Sequence, residues 1–225
     1  MTEPSSPTSL TRVRRLPDRG RYDRGTIDAI LDAGFVCHVG FAIDGQPFVT
    51  PTSYWREGDY VYFHGSAASR MLRAVGTRGA RCCLTVTHAD GLVLARAAFH
   101  HSINYRSVML FGHAEPVKDD AAKRHALKAF VEHLFPGRWA TLRPMTDAEV
   151  KGTSVLRLPI DEASAKVRTG GPKDDEADYA LPIWAGVIPL AMVAEAPEPD
   201  PRLPPGVETP AHAREFRRAA RRPAS

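Results

Sequence analysis

Residues 61–75 read VYFHGSAASRMLRAV. Val61 and Phe63 alternate with Tyr62 and His64, the period of a β-strand. Gly65 is expected to break that strand. Ser66 suits a helix N-cap, and Met71, Leu72 and Val75 give the next segment an apolar helical stripe. A strand thus runs through a small-residue turn into a helix N-terminus, whose free N–H groups attract anions, phosphate above all. Ser66 and Ser69 add hydroxyl donors, and Arg70 adds a forked cation. The same pattern also suits an ordinary capped surface helix with a solvated arginine.

Outward from this stretch the signals are those of antiparallel hairpins. Upstream, residues 36–43 lead into Asp44-Gly45, a two-residue hairpin turn, and 46–54 return. Glu57, Gly58 and Asp59 turn the chain into 60–64. Downstream, 81–88 alternate as a strand, Asp90-Gly91 is read as a second hairpin turn, and 92–99 return. A polar stretch, 100–105, precedes a long strand over 106–117, with a bulge expected at Gly112. Further strands are expected over 153–159 and 163–168, and 180–190 as an apolar segment closing the core around Trp184. A first helix is expected with Thr26 as cap, Ile27, Ile30 and Leu31 as its buried face and Gly34 as its stop. A helix over 119–134 is capped by Asp119 and ended by Pro136-Gly137, and Thr146 to Glu149 forms a capping box. Many hairpins with few intervening helices predict a mainly β fold, a small β-barrel with flanking helices.

The chain has 225 residues, 43% of them hydrophobic, enough for a sizeable core. No run of about 18 apolar residues predicts a membrane span. The N-terminus, MTEPSSPTSLTRVRR, shows no secretory h-region. Cys37, Cys82 and Cys83 lack metal spacing and fall in apolar runs, as buried reduced thiols of a cytoplasmic protein would. The net charge of +4 resides largely in residues 12–24 and 214–222, which read as solvated arms rather than a nucleic-acid surface. Three regions follow: a flexible basic arm over 1–20, a domain over 21–194, and an extended tail over 195–225. Seven of the 19 prolines lie in that tail, too many for a compact core.

Four stretches can carry chemistry. The first is His64, Gly65, Ser66, Ser69 and Arg70. The second is residues 47–53, PFVTPTS, where prolines in a strand leave backbone groups free for a flat heterocycle, or simply protect an edge. The third, residues 98–108, AFHHSINYRSV, sets His100, His101, Arg106 and Ser107 between apolar strands. They can meet a ligand or form a solvent-exposed loop. On a strand the two histidines would point to opposite faces, and no metal site is expected. The fourth joins KVRTGGPKDD to the segment around Trp184, whose indole is a large flat surface.

The order of hairpins, then FHGSAASRML, FHHSINYRSVMLFGHAEPV, PGRW and SAKVRTGGPKDDEADYALPIWAGVIPL, resembles the pyridoxamine 5′-phosphate oxidase-like flavoproteins. It is most similar to the subgroup that includes the nitroimidazole-resistance proteins. The resemblance spans roughly residues 12–190. It implies an FMN-binding split β-barrel, a homodimer with FMN at its interface, and an oxidoreductase acting on a small molecule, with NAD(P)H as a candidate donor. A flavin carrier without turnover, a nitroreductase and a haem-binding member are the alternatives.

By the same resemblance the phosphate-binding turn falls on Ser66, Ser69 and Arg70, and the strand along the isoalloxazine on Val49, Thr50, Pro51 and Thr52. Arg106 and Ser107 would reach the flavin, with Trp184 beside it. His100 and His101 are the candidate catalytic acids, and Arg106 the candidate for tuning the flavin potential. The C-terminal Arg-x-His signature of the true oxidases is absent from PEPDPRLPPGVETPAHAREF, which sets this chain apart from them.

Overall fold

The structure is a computed structural model that describes residues 6–216. The outer ends of both arms fall outside the described residues. In chain order the elements are β1 (Gly20–Arg21), α1 (Arg24–Ala33), β2 (Val36–Ile43), β3 (Gln46–Glu57), β4 (Tyr60–Ser66), α2 (Arg70–Leu72), β5 (Arg81–Leu94), β6 (Ser102–His113) and β7 (Glu115–Pro116). Then come α3 (Asp120–Leu134), α4 (Asp147–Gly152), β8 (Thr153–Pro159), β9 (Ala163–Arg168), β10 (Gly186–Pro189) and α5 (Ala211–Arg214). The strands form one antiparallel sheet in the order β1-β9-β6-β5-β2-β3-β4-β8-β7, with β10 added to β5. The expected mainly β barrel with flanking helices is what the chain forms.

β3 is the strand that splits this barrel. Residues 46–53 pair with β2, whereas Tyr54, Trp55, Arg56 and Glu57 pair with β4. Beyond Phe63, β4 pairs only with β8. β3 and β4 therefore diverge, and among the described residues the edge of 46–53 opposite β2 has no strand partner. The interior is filled by Val39, Tyr54, Phe63, Leu84, Val108, Leu110 and Leu158, and α1 inserts Ile27, Ile30 and Leu31 into the same core. Burial of this apolar area from water is the main stabilising term. Outside β4 and β8, α3 covers a second cluster of Trp55, Ala126 and Val155, with Phe130 against it.

Local details depart from expectation for identifiable reasons. Asp23, not Thr26, caps α1: its side chain accepts from the Thr26 N–H at 2.8 Å. An aspartate one turn earlier meets the free N–H groups directly. Gly65 does not break β4, because its backbone still pairs with Ser154. The N-cap passes to Ser69, and α2 loosens after one turn into a π-helical stretch, Arg73–Thr77.

Asp90-Gly91 is not a turn either. β5 runs through it, with a register shift between Ala89 and Gly91. A Cβ on Gly91 would lie 2.9 Å from Val187 Cγ1 and 3.1 Å from Ile188 O, so glycine admits β10 at close range. The chain reverses instead through the 3₁₀ turn Ala98–His100, and β6 begins at Ser102. Gly112 keeps regular register opposite Cys82; its missing side chain makes room for Leu158, 3.1 Å from an added Cβ. Residues 180–190 do not close the core: Trp184 is 67% exposed. The Asp119 cap and the Thr146–Glu149 capping box are present as expected.

Candidate functional site

The divergence of β3 and β4 leaves the serine turn beside the unpaired edge of β3. Ser66 Oγ accepts from the Ala68 N–H at 3.2 Å, and Ser69 Oγ accepts from the Leu72 N–H at 3.4 Å. Each serine thus uses its oxygen as an acceptor within the turn and keeps a hydroxyl proton to donate. Arg70 leans across the split and lays its guanidinium on Phe48, 4.2 Å from the ring centroid. Among the described residues it has no carboxylate partner. The result is a fixed cation beside two hydroxyls, at the free edge of a strand.

That strand alternates. Phe48, Thr50, Thr52 and Tyr54 share the core-facing row with Phe41, Val39 and Cys37 of β2, while Val49, Pro51 and Ser53 lie on the outer row. Val49 is 68% exposed. Only one row can meet a ligand's face; the free backbone edge between β3 and β4 is available to either.

His64 lies on β4 under α3. Its ring is 4.4 Å from Phe130 and 5.8 Å from Trp55, centroid to centroid. Nδ1 is buried with no hydrogen-bond partner, as is the neighbouring Trp55 Nε1. Burial among aromatic rings pushes the imidazole below its ordinary value near 6.5, so it is held neutral. The unfolded chain therefore binds a proton that the folded chain refuses as pH falls below about 6.5. The thermal midpoint is expected to drop between pH 7.5 and pH 5.5, and His64→Phe to drop less; equal drops in both proteins would remove His64 from that account.

The remaining candidates gather elsewhere. His100 ends the 3₁₀ turn, 3.4 Å from the exposed Asp175 carboxylate, and the His101 ring nitrogen sits 3.1 Å from the Ala97 carbonyl. Neither histidine is in a strand, so the opposite-face expectation does not apply. Phe99 beside them is 90% exposed. Arg106 is buried and bidentate to Asp90, at 2.8 and 2.9 Å. Its charge is thereby matched inside the chain. The Ser107 hydroxyl donates to the Lys166 carbonyl at 3.4 Å. Trp184 precedes β10, whose Gly186 pairs with Leu94.

Register shows how far apart these groups stand. Val49 lies opposite Gly40, which lies opposite Cys83. Val187 and Ser102 instead pair with Val93, ten residues further along β5. At about 3.3 Å per residue that separation is about 30 Å. Within one chain, the serine turn and the Phe99–Trp184 region occupy opposite ends of the barrel.

Sequence reasoning missed Phe48 as the platform for Arg70 and Asp90 as the partner of Arg106. Both pairings join residues from different elements, β3 with α2 and β5 with β6, and neither has a local spacing signal. Among the described residues no group of three or more metal-binding side chains converges, and no helix is long and apolar enough to cross a membrane.

A split antiparallel barrel with a serine- and arginine-bearing turn beside its open strand edge is a recognisable family architecture. Residues 23–167 match the family profile of pyridoxamine 5′-phosphate oxidase, and the chain belongs to that family. It is similar to the flavocytochrome Anf3 from Azotobacter vinelandii, with 50% identity, TM-score 0.90, and coverage of 95% of this chain and 99% of that one. It is also similar to an FAD and haem binding protein from Mycobacterium smegmatis, with 38% identity, TM-score 0.84, and coverage of 88% and 96%. A candidate 5-nitroimidazole antibiotic resistance protein from Bacteroides thetaiotaomicron shares 25% identity, TM-score 0.56, and coverage of 66% and 86%. A search of curated proteins gives no match.

Proposed function

We propose that this protein is a redox flavoprotein of the flavocytochrome type, holding a flavin nucleotide in the β3–β4 cleft and a haem as a second centre. The observation that carries the flavin assignment is Arg70, charged, uncommitted to any described carboxylate and fixed on Phe48 beside two serine hydroxyls. A phosphate there would take charge-assisted hydrogen bonds from Arg70 and neutral ones from Ser66 and Ser69. The free backbone edge of residues 46–53 offers N–H and C=O groups to a flavin ring. FMN and FAD both present a phosphate to such a turn; the Mycobacterium smegmatis relative, named for FAD and haem, favours FAD, and it and the flavocytochrome Anf3 are the reason haem is included.

A flavin exchanges electrons in pairs or singly and a haem singly, so the two together would couple a two-electron donor to one-electron steps. The chain's own part is to hold the phosphate, line the ring and exclude water. His64 is the buried imidazole closest in sequence to the turn, and its neutral state and open Nδ1 suit contact with a bound group rather than a surface role. Reduction under anaerobic conditions tests the reading. NADH or NADPH, failing which dithionite, should bleach the flavin band first and shift the Soret band afterwards. A flavin that reduces while the haem stays oxidised would argue against coupled centres.

A second copy of the chain completes this picture. Ile188, Leu92 and Ile103 pair directly across β10, β5 and β6, so they share one face, and each is about half exposed. Regular alternation along β6 from Ile103 through Met109 to Phe111, then across Cys83 and Gly40, places Val49 on that same face. Exposed apolar area of this extent is what a homodimer covers. Antiparallel packing of two such faces would bring one copy's Phe99, His100 and Trp184 to the other's serine turn. Leu92→Glu should then yield a monomer by light scattering that has lost most of its flavin. A flavin-loaded monomer would contradict the shared site.

A further inference from the structure

We infer that residues 169–186 form a strap that holds the Trp184 indole as an open stacking platform, with Asp174 and Gly186 as its positioning residues. The inference rests on the reading in which one copy's Trp184 meets the flavin at the other copy's serine turn, and it names the residues that set the indole there.

Gly186 supplies the seat. A Cβ added to it would lie 3.0 Å from both Cη2 and Cζ2 of Trp184 and 3.7 Å from Cε2. The indole therefore folds back over the first residue of β10 and packs into the space that glycine leaves. Trp184 is nevertheless 67% exposed, so the rest of the ring system faces solvent. An unsupported surface tryptophan would sample several rotamers, whereas this one has backbone beneath it. That backbone is itself fixed: Gly186 pairs with Leu94, and β10 follows β5 as far as Gly91.

The other end of the strap is anchored by Asp174, whose side chain is 0% exposed. Its carboxylate accepts from the Arg96 backbone N–H at 3.1 Å and from the Arg96 guanidinium at 2.9 Å. The same guanidinium lies over the Tyr179 ring, 4.9 Å from its centroid. Asn104 and Arg168, both buried, donate to the Gly170 carbonyl at 3.0 and 3.4 Å, and Arg168 also to that of Gly171 at 3.3 Å. Between Asp174 and Trp184 the chain is wound in consecutive turns. The Asp178 N–H donates to the Asp175 carbonyl at 2.9 Å, the Leu181 N–H to Asp178 at 3.0 Å and the Ile183 N–H to Leu181 at 2.8 Å. A mobile surface loop has few such enclosed bonds. What the strap carries outward is apolar: Tyr179, Leu181, Ile183 and Trp184 all stand exposed. An exposed flat side chain ordered before its ligand arrives suits a planar ring, because little freedom is left to lose on contact.

The emission of the bound flavin in the full-length protein tests the inference, since an indole in contact with an excited flavin quenches it by electron transfer. Trp184→Phe should raise that emission severalfold. Gly186→Val, which fills the seat, and Asp174→Asn, which weakens the anchor, should each raise it comparably with the indole still present. The preference for FMN over riboflavin, which reports the serine turn, should stay as in the parent, and circular dichroism shows which variants are folded; if Asp174→Asn is not, Gly186→Val decides alone. Parent-like quenching in a folded Gly186→Val or Asp174→Asn protein, beside a bright Trp184→Phe protein, would overturn the positioning roles and leave the shared flavin site standing. A Trp184→Phe protein as dim as the parent would take the indole away from the flavin and overturn the shared site, and this inference with it.

Discussion

Replacing Arg70 with alanine should weaken FMN and FAD binding at least tenfold while leaving riboflavin binding nearly unchanged. A charge-assisted contact contributes about 1.5–3 kcal/mol, and about 1.4 kcal/mol corresponds to a factor of ten. The contact is attributed to the phosphate because Arg70 stands at the turn, on Phe48, and has no described carboxylate to satisfy it. Arg70→Lys should recover only part of the loss, since an ammonium neither stacks on Phe48 in the same way nor donates bidentately. Calorimetry with the three flavins on each variant gives the answer. Equal losses for riboflavin and the nucleotides would mean that Arg70 shapes the cleft rather than binding phosphate.

The second large effect falls on stability. Arg106 and Asp90 form a buried bidentate pair, with side chains 5% and 13% exposed. Arg106→Gln leaves the Asp90 carboxylate buried without its cation, which costs about 3–5 kcal/mol. The thermal midpoint should fall by several degrees or more, and the double variant with Asp90→Asn should regain much of the loss. The flavin midpoint potential, measured in whatever fraction remains folded, should move little, because the charge removed is already balanced by Asp90. A large negative shift in potential with unchanged stability would put the guanidinium beside the flavin and reverse this reading.

The barrel, the first hairpin and the caps of α3 and α4 were legible in the sequence because their signals are local. Alternation over residues 61–64, Asp44-Gly45 at a tight turn and an aspartate before α3 each act within a few residues. Asp90-Gly91 carries the same turn chemistry and misled, because two distant elements decide its conformation. Arg106 claims the aspartate and β10 claims the space that glycine leaves. Trp184 misled in the other direction: an apolar segment near the end of a domain reads as core, but here β10 adds to β5 and Trp184, just before it, stays 67% exposed. The candidate site was legible as the turn and not as the pairings across it. Phe48 under Arg70 joins β3 to α2, and Trp55 beside His64 is a diagonal pair across the β3–β4 hairpin; neither contact has a spacing signature in the sequence. The His100-His101 pair was placed on a strand by extrapolation, and a 3₁₀ turn with backbone partners took it instead.

The most direct test of the central claim is mass spectrometry of the small molecules released by acid from the purified full-length protein, read together with its visible spectrum. The account predicts a flavin nucleotide bearing a phosphate, FAD or FMN, accompanied by haem. A protein that releases a phosphate-free flavin or no flavin at all, although folded, would contradict the assignment of the β3–β4 cleft.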